Sequence, residues 1–259
     1  MTDLQSPTPS LEPQSSTRPN PDFIRSLFSS ISSDYDKAND VITFGLARRW
    51  RKKLVRWSQA KKGAKVLDCA TGTGDLALDF KAHVGPEGQV IGTDFCEDML
   101  KWAPLKAKEK GLDVQFEWAD VLNLKYPSEH FDITSIAYGI RNVGDPLRAL
   151  KEMARVTRSG GYVMVLETGD SQWPLFKNLY RFYFQHVVPR LGGLVTGHRS
   201  AYEYLNRSSN QFPAAEAFVH LMEKTEAFDQ VEFIRLMGGA SFIYRARKRA
   251  PLKPPTGEG

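Results

Sequence analysis

Two carboxylates and two glycines carry the first chemistry that can be read from this chain. Residues 66–74 run Val-Leu-Asp-Cys-Ala-Thr-Gly-Thr-Gly, and Asp94 lies twenty residues beyond Gly74. An apolar strand (Val66, Leu67) enters an acid, Asp68, and then a turn holding Gly72 and Gly74. A helix pattern follows (Leu76, Ala77, Phe80), and a second strand (Val90, Ile91) ends at Asp94. Glycines let backbone approach a ligand closely, and a carboxylate at a strand end can accept both hydroxyls of a ribose. Gly72-x-Gly74-x-x-Ala77 also satisfies the loose dinucleotide fingerprint. Asp68 argues against that ligand, because a pyrophosphate would meet its negative charge. S-adenosylmethionine has no phosphate and carries an amino group, for which an acid is useful. The stretch therefore reads as a methyl-donor site in preference to a dinucleotide site.

The surrounding pattern supplies elements to position these groups. Strands are predicted at 65–69, 89–94, 113–117, 131–137 and 161–167, and helices at 74–83, 96–110 and 145–158. Such alternation implies an α/β fold with a parallel sheet and helices on both faces. Gly160 and Gly161 are read as the turn into the fifth strand. Residues 21–60 show apolar spacings of three and four, the mark of amphipathic helices. Arg48, Arg49, Arg51, Lys52, Lys53 and Arg56 crowd the second of these patterns beside Trp50 and Trp57. That face is either simply solvated or suited to an anionic membrane surface. Residues 170–227 read as helical and aromatic, and 230–237 with 240–246 as a hairpin around Gly238 and Gly239 at a sheet edge.

With 259 residues, 41 % hydrophobic and 25 % charged, the chain suits one large α/β domain. The expected domain spans 21–247: N-terminal helices over 21–60, a cofactor-binding core over 63–168, a helical substrate cover over 170–227 and an edge hairpin over 229–247. Residues 1–20, rich in Ser, Thr and Pro, are expected to be a disordered tail, and 248–259 a flexible one. No run of about 18 apolar residues argues for a membrane span, and the N-terminus lacks the apolar core of a secretory signal. Cys69 and Cys96 are too few for a disulfide framework and read as packing residues in a reducing cytoplasm. No metal is expected. A net charge of +5 permits an anionic partner without requiring one.

Four blocks make the chain resemble a particular group of class I S-adenosylmethionine-dependent methyltransferases, the C-methyltransferases of ubiquinone and menaquinone biosynthesis (the UbiE/MenG type). They are Phe28-Ser-Ser-Ile-Ser-Ser-Asp-Tyr-Asp-Lys-Ala-Asn39 with Phe44-Gly45 and Arg49-Trp50-Arg51, then Leu67-Asp-Cys-Ala-Thr-Gly-Thr-Gly-Asp-Leu76. Tyr138-Gly-Ile-Arg-Asn-Val143 and His186-Val-Val-Pro-Arg-Leu-Gly-Gly-Leu194 with Tyr202-Glu-Tyr-Leu205 complete the set. The last two are more specific than the glycine loop. The resemblance spans roughly 28–247 and implies a Rossmann-like, mostly parallel seven-stranded sheet, an antiparallel C-terminal hairpin and helical additions over the cleft. Thr71 departs from the pattern, standing where the family has glycine, so it must avoid a glycine-only backbone conformation or accept strain. Asn206-Arg207-Ser208 also departs from it, which leaves the quinone head group open between a naphthoquinol and a benzoquinol.

The resemblance assigns roles residue by residue. Thr73 and the Gly72–Gly74 backbone would contact the methionine part of S-adenosyl-L-methionine, and Asp68 would orient its amino group. Asp94 would hold the ribose, Asp120 the adenine amino group and Val121 the ring through its backbone. Ala137 occupies a position often held by Ser, so one polar cofactor contact is expected to be missing. The implied acceptor is a prenylated quinol: demethylmenaquinol first, with 2-methoxy-6-polyprenyl-1,4-benzoquinol as alternative. A quinol carbon becomes nucleophilic when a ring hydroxyl loses its proton. Arg141 is the candidate to stabilise that phenolate, unless it is spent on a salt bridge to Asp145 or Glu167. Asn142 and Tyr138 are secondary candidates. His186 would serve as a base if it faced the cleft, and Tyr202 is a weaker candidate still.

A bilayer-resident substrate implies transient contact with a membrane surface, at the cytoplasmic side of the inner membrane; a homodimer is left open. Rival readings are weaker. A base N-methyltransferase would carry an Asn/Asp-Pro-Pro-Tyr/Phe element where Ala137-Tyr-Gly-Ile140 stands, so no nucleic-acid partner is expected. A non-catalytic cofactor-binding subunit would not be expected to keep Arg141-Asn142.

Overall fold

The computed structural model describes residues 19–170 and 173–250. The expected tails therefore fall almost wholly outside the described residues. Seven strands form one sheet: β1 (Lys65–Cys69), β2 (Gln89–Asp94), β3 (Gln115–Trp118), β4 (Phe131–Ala137), β5 (Thr157–Thr168), β6 (Phe228–Leu236) and β7 (Ser241–Lys248). Their order is β3-β2-β1-β4-β5-β7-β6. The first five pair in parallel, and β7 runs antiparallel to both β5 and β6. Chain order reverses between β1 and β4, so a crevice opens at the carboxyl ends of these strands, where open α/β sheets take their ligands.

Both faces of the sheet are covered, which is why β1 is buried from Val66 to Cys69. One face packs α7 (Pro146–Val156) and α11 (Glu216–Glu223) over Leu67, Phe131, Ile136 and Val165. The other packs α3 (Leu46–Trp57) and α4 (Asp75–Val84) over Val66, Val90 and Met164. Helix starts are written locally. Asp145 caps α7 by accepting the Arg148 N–H at 3.0 Å, with Pro146 at the first position. Asn20 does the same for α1 (Pro21–Ile31), accepting the Asp22 N–H at 2.9 Å.

Several boundaries differ from the sequence reading for identifiable reasons. The helix expected over 96–110 is two, α5 (Glu97–Leu100) and α6 (Trp102–Glu109). Pro104 cannot donate to the Leu100 carbonyl, so the helix breaks one turn earlier. The second N-terminal pattern is also two helices, α2 (Tyr35–Thr43) and α3, separated where Phe44 and Gly45 both take left-handed backbone. The turn expected at Gly160-Gly161 lies inside β5, whose pairing with β4 shifts register between Phe131 and Ile133.

The remaining helices, α8 (Pro174–Phe182), α9 (Val188–Thr196) and α10 (Arg199–Gln211), roof the crevice. A wide turn, Tyr183–Val187, joins α8 to α9 just before Pro189. This roof buries apolar side chains against the N-terminal helices and also meets the sheet, where the Thr168 hydroxyl at the end of β5 donates to Ser209 Oγ at 2.9 Å. Ile31, Ala38, Ile42, Val188, Ala201 and Tyr202 form a hydrophobic cluster separate from the two that sandwich the strands. A Cβ at Gly192 would lie 2.3 Å from the Tyr202 ring, so α9 and α10 meet through a missing side chain. Gly192→Ala is expected to loosen the roof at a cost of about 1–3 kcal/mol of local overpacking. Hydrogen exchange checks this: amides of α9 and α10 should lose protection while those of β1, β4 and β5 keep theirs.

Candidate active site

The loop after β1 is shaped by positive backbone angles at Ala70 (φ 48°), Gly72 (φ 58°) and Gly74 (φ 86°). Thr71 takes none of these conformations. Its hydroxyl instead donates to Asp68 Oδ2 at 2.7 Å. Ser135 on β4 donates to Asp68 Oδ1, also at 2.7 Å. Asp68 is fully buried, and burial pushes its carboxyl up to about 7, against the pull of these two hydroxyls. Each carboxylate oxygen has a second lone-pair site, so the group can still accept from a ligand amine.

Asp94, at the end of β2, accepts from the Gly72 N–H through Oδ2 and from the Cys96 N–H through Oδ1, each at 2.8 Å. Burial raises its pKa while these backbone donors oppose the rise. The loop amides are thus consumed internally: Gly72 on Asp94, Gly74 on the Thr71 carbonyl, and Thr71 on the Thr93 carbonyl. No anion nest of free N–H groups remains at these positions for a pyrophosphate.

Two cavities meet at this loop. The smaller, about 120 Å³, is lined by Asp94, Asp120, Val121, Met99 and Asn142 and roofed by Ile24 and Phe28 of α1. Among the described residues its wall holds two carboxylates and no lysine or arginine. That donor set fits a phosphate-free, cationic nucleoside such as S-adenosylmethionine and disfavours a dinucleotide. Asp120 is exposed and accepts the Leu122 N–H at 2.9 Å, while Val121 is buried. The larger cavity, about 480 Å³, is mostly apolar and includes Ile42, Phe44, Trp50, Tyr183 and Leu205 in its lining. Ala70, Gly72, Ala137 and Tyr138 line both. Thr73 lines the larger one, and Gly74 lines neither: its Cβ would strike Ala103 at 2.8 Å, so its part is close packing at the start of α4.

Arg141 sits on a 3-10 turn beyond β4 and is almost wholly buried in the wall of the larger cavity. Its Nη1 donates to the Tyr138 carbonyl at 2.7 Å and to Glu167 Oε1 at 2.6 Å. The salt bridge weighed from the sequence therefore exists, to Glu167. It does not use up the guanidinium, because Arg141 Nε is buried without a partner. Tyr138 has left-handed backbone, and burial raises the pKa of its hydroxyl, so it stays protonated. Asn142 accepts the Tyr204 hydroxyl at 3.2 Å, tying α10 to the site. His186 lines neither cavity; it is exposed and packs on Phe182 at 5.1 Å, because the inward face of that turn belongs to Tyr183, Phe184 and Val188. Tyr202 does line the larger cavity, with its hydroxyl pushed up to about 12 by burial. Both cysteines are free and buried.

A family model described as the ubiE/COQ5 methyltransferase family matches residues 15–248. The chain belongs to this family. Among relatives of the ubiE/COQ5 family, a Bdellovibrio bacteriovorus protein named ubiquinone/menaquinone biosynthesis C-methyltransferase UbiE is 56 % identical, across 88 % of this chain and 96 % of its own. A Lactococcus lactis protein named demethylmenaquinone methyltransferase is 37 % identical, across 91 % of this chain and 93 % of its own. A solved Thermotoga maritima S-adenosylmethionine-dependent methyltransferase superposes with a TM-score of 0.61 at 20 % identity, covering 87 % of this chain and all of that one, and shows the shared fold. The protein is thus a class I S-adenosylmethionine-dependent methyltransferase.

Several residues of the site had no role in the sequence reading. Tyr35 and Asn39 of α2 line the larger cavity, and Asp36 accepts the Thr73 hydroxyl at 2.7 Å. Lys106 Nζ bridges Asp36 at 2.7 Å and Thr73 at 3.1 Å, and also reaches Asp75. The only signal for them was that Tyr35-Asp36 lies inside the first family block. Arg51, read as part of a solvated basic face, points inward to Asp75 Oδ2 at 2.5 Å.

The Asp68 carboxyl gives a pH signature. Its pKa is about 7 folded against 3.8 as the ordinary value, so its contribution is complete below about pH 4 and is lost as pH rises through 7. Asp68→Asn should therefore stabilise the donor-free protein progressively from pH 4 to 7, by at most about 1.4 kcal/mol per pH unit, with a constant gain above that. Thermal melts of both proteins across this range check it; a gain that is flat with pH would show that Asp68 titrates normally.

Proposed function

We propose that this protein methylates a ring carbon of a prenylated quinol, with reduced demethylmenaquinone as substrate. One observation carries the reading: the acidic nucleoside pocket opens through Ala70, Gly72, Ala137 and Tyr138 into an apolar chamber with a buried guanidinium in its wall. S-adenosylmethionine supplies an electrophilic methyl group at that junction. The acceptor carbon must lie in line with it, so the principal task of the site is alignment. Leu27, Phe28, Tyr35 and Tyr138 are among the apolar and aromatic residues that line this chamber. The quinol hydroxyl must shed its proton for charge to reach the ring carbon. Arg141 Nε has an unused N–H to give the resulting phenolate oxygen. Water takes the hydroxyl proton and, after transfer, the proton of the methylated ring carbon; aromaticity returns and the oxygen is reprotonated, so one proton is released net. Relatives carry names for both quinone pathways, so the benzoquinol of ubiquinone synthesis is the second acceptor to be tried.

The substrate tail directs this reading to a membrane surface. Among the described residues, no helix is long and apolar enough to cross a bilayer. A chamber of 480 Å³ suits a drug-sized portion of a ligand, here the ring and the start of the tail. The rest must leave past Phe44 and Leu179, which line the chamber yet are 76 % and 62 % exposed, with Phe182 at 59 % nearby on α8. Trp50 and Trp57 pack against the core, so the apolar contact with lipid falls to these residues. Arg49, Lys52, Lys53 and Arg56 recur along the exposed side of α3 and suit anionic headgroups. Contact at the cytoplasmic face of the inner membrane follows from a substrate that resides there.

The acceptor assay incubates the protein with S-adenosylmethionine and each reduced prenylquinone and reads the product mass. Methylation of neither would sink the proposal. Removing Arg141 alone strands the buried Glu167, so Arg141→Gln with Glu167→Gln is the informative pair. It should lower kcat on the order of 100-fold while leaving donor affinity within about twofold. Phe44→Asn keeps a residue suited to left-handed backbone and removes the apolar contact. It should reduce co-sedimentation with anionic vesicles and spare turnover of a short-tailed, water-soluble quinol; unchanged sedimentation would clear Phe44 of that role.

A further inference from the structure

Among the described residues only two cationic side chains line the larger cavity, Arg141 and Arg51, and each has a buried Nε without a partner. They serve different parts of it. Arg141 is held by the Tyr138 carbonyl and by Glu167 behind it. Arg51 reaches in from α3 beside the donor loop. Its Nη2 donates to Asp75 Oδ2 at 2.5 Å, while Asp79 Oδ2 stands 3.9 Å from Nε, too far to accept. Its side chain is 12 % exposed, so the orphaned donor is withheld from bulk water. The neighbouring cation, Lys106, is saturated by Asp36, Thr73 and Asp75. Those contacts pair Asp36 and Asp75, which also line the cavity, with a cation and so weaken their repulsion of an incoming anion.

The donor brings one anionic group to this place. Its amino group is matched by Asp68, and its ribose by Asp94, but its α-carboxylate has no counterpart among Asp68, Asp94 and Asp120. Thr73, on the loop expected to hold the methionine part, shares its hydroxyl with Asp36 and Lys106, two residues before the acid that Arg51 grips. The guanidinium also lies close enough to Asp68 and Tyr138 to pull against the rise in pKa that burial gives each of them. The geometry points to Arg51 as the residue that binds the α-carboxylate of S-adenosylmethionine, through the Nε–H that no protein group accepts. This assignment rests on the donor-site reading and needs no particular acceptor. It makes α3, outside the strand–loop–helix core, the element that recognises the amino-acid end of the donor.

Calorimetric titration of S-adenosylmethionine against decarboxylated S-adenosylmethionine tests this directly, since the two differ only in that carboxylate. The wild type should prefer the carboxylated form by about 10- to 100-fold, the range for a charge-assisted hydrogen bond. Arg51→Gln should abolish that preference by weakening only the carboxylated ligand, with affinity for the other held within twofold. Equal weakening of both ligands would mean that Arg51 is structural and overturn the assignment, as would a wild type that binds both alike. Arg51→Lys keeps a charge opposite Asp75 but has no Nε–H, and covers the case in which the glutamine variant does not fold. It should show a reduced preference; a preference equal to wild type would overturn the role of Nε. Donor binding without methylation of any quinol would refute the acceptor reading and leave Arg51 untouched.

Discussion

The buried carboxylate of Asp68 is the constraint on which the site depends. It joins three pieces of chain: its own strand β1, Ser135 on neighbouring β4, and Thr71 in the loop that turns toward the ligand. An acid in the middle of a sheet covered on both faces is costly unless its oxygens are engaged. Here the two hydroxyls that engage it also fix the separation of the strands at the point where chain order reverses, and the exit angle of the loop. Asp94 repeats the device one strand away with backbone donors. Together the two acids convert a generic crevice into one that favours a positive, phosphate-free guest.

The two cavities differ in charge. Among the described residues the nucleoside pocket has only carboxylates in its charged wall, whereas the larger chamber sets two guanidinium groups, Arg51 and Arg141, among Asp36, Asp40, Asp68 and Asp75. Both guanidinium groups are partly neutralised by acids, Arg51 by Asp75 and Arg141 by Glu167. Partial neutralisation keeps the folded state tolerable while leaving one donor per group for directional work. A lysine in either place would give a point charge without a fixed plane, and would lose that separation between holding an acid and binding a guest.

Much of this architecture was legible in the chain. The strand–glycine–helix pattern located β1, α4 and β2 almost to the residue, because buried parallel strands and a tight turn leave strong local marks. Asp68 lines the larger cavity, and Asp94, Asp120 and Val121 the smaller. What escaped was anything decided by distant packing. Arg51 looked like one more exposed cation, since its spacing on α3 does not reveal that Asp75 waits beneath it. His186 looked like a catalytic group within an apolar run, but the wide turn before Pro189 puts it on the surface. Thr71 looked like a source of strain, yet the left-handed backbone falls on its neighbours Ala70 and Gly72, and the hydroxyl is used.

The larger chamber has a further consequence for how the molecule comes into being. Its wall is drawn from residues as early as Leu27 and as late as Ser241, and Tyr183 is tied to the Ile42 carbonyl across 141 positions of chain. Contacts of such sequence separation form late in folding, after loop closure has been achieved for everything between. A growing chain can therefore set α1 and α2 early but cannot enclose an apolar guest until β7 has emerged and paired. The greasy interior exists only in the finished molecule, which shortens the time during which that surface is open to misassociation.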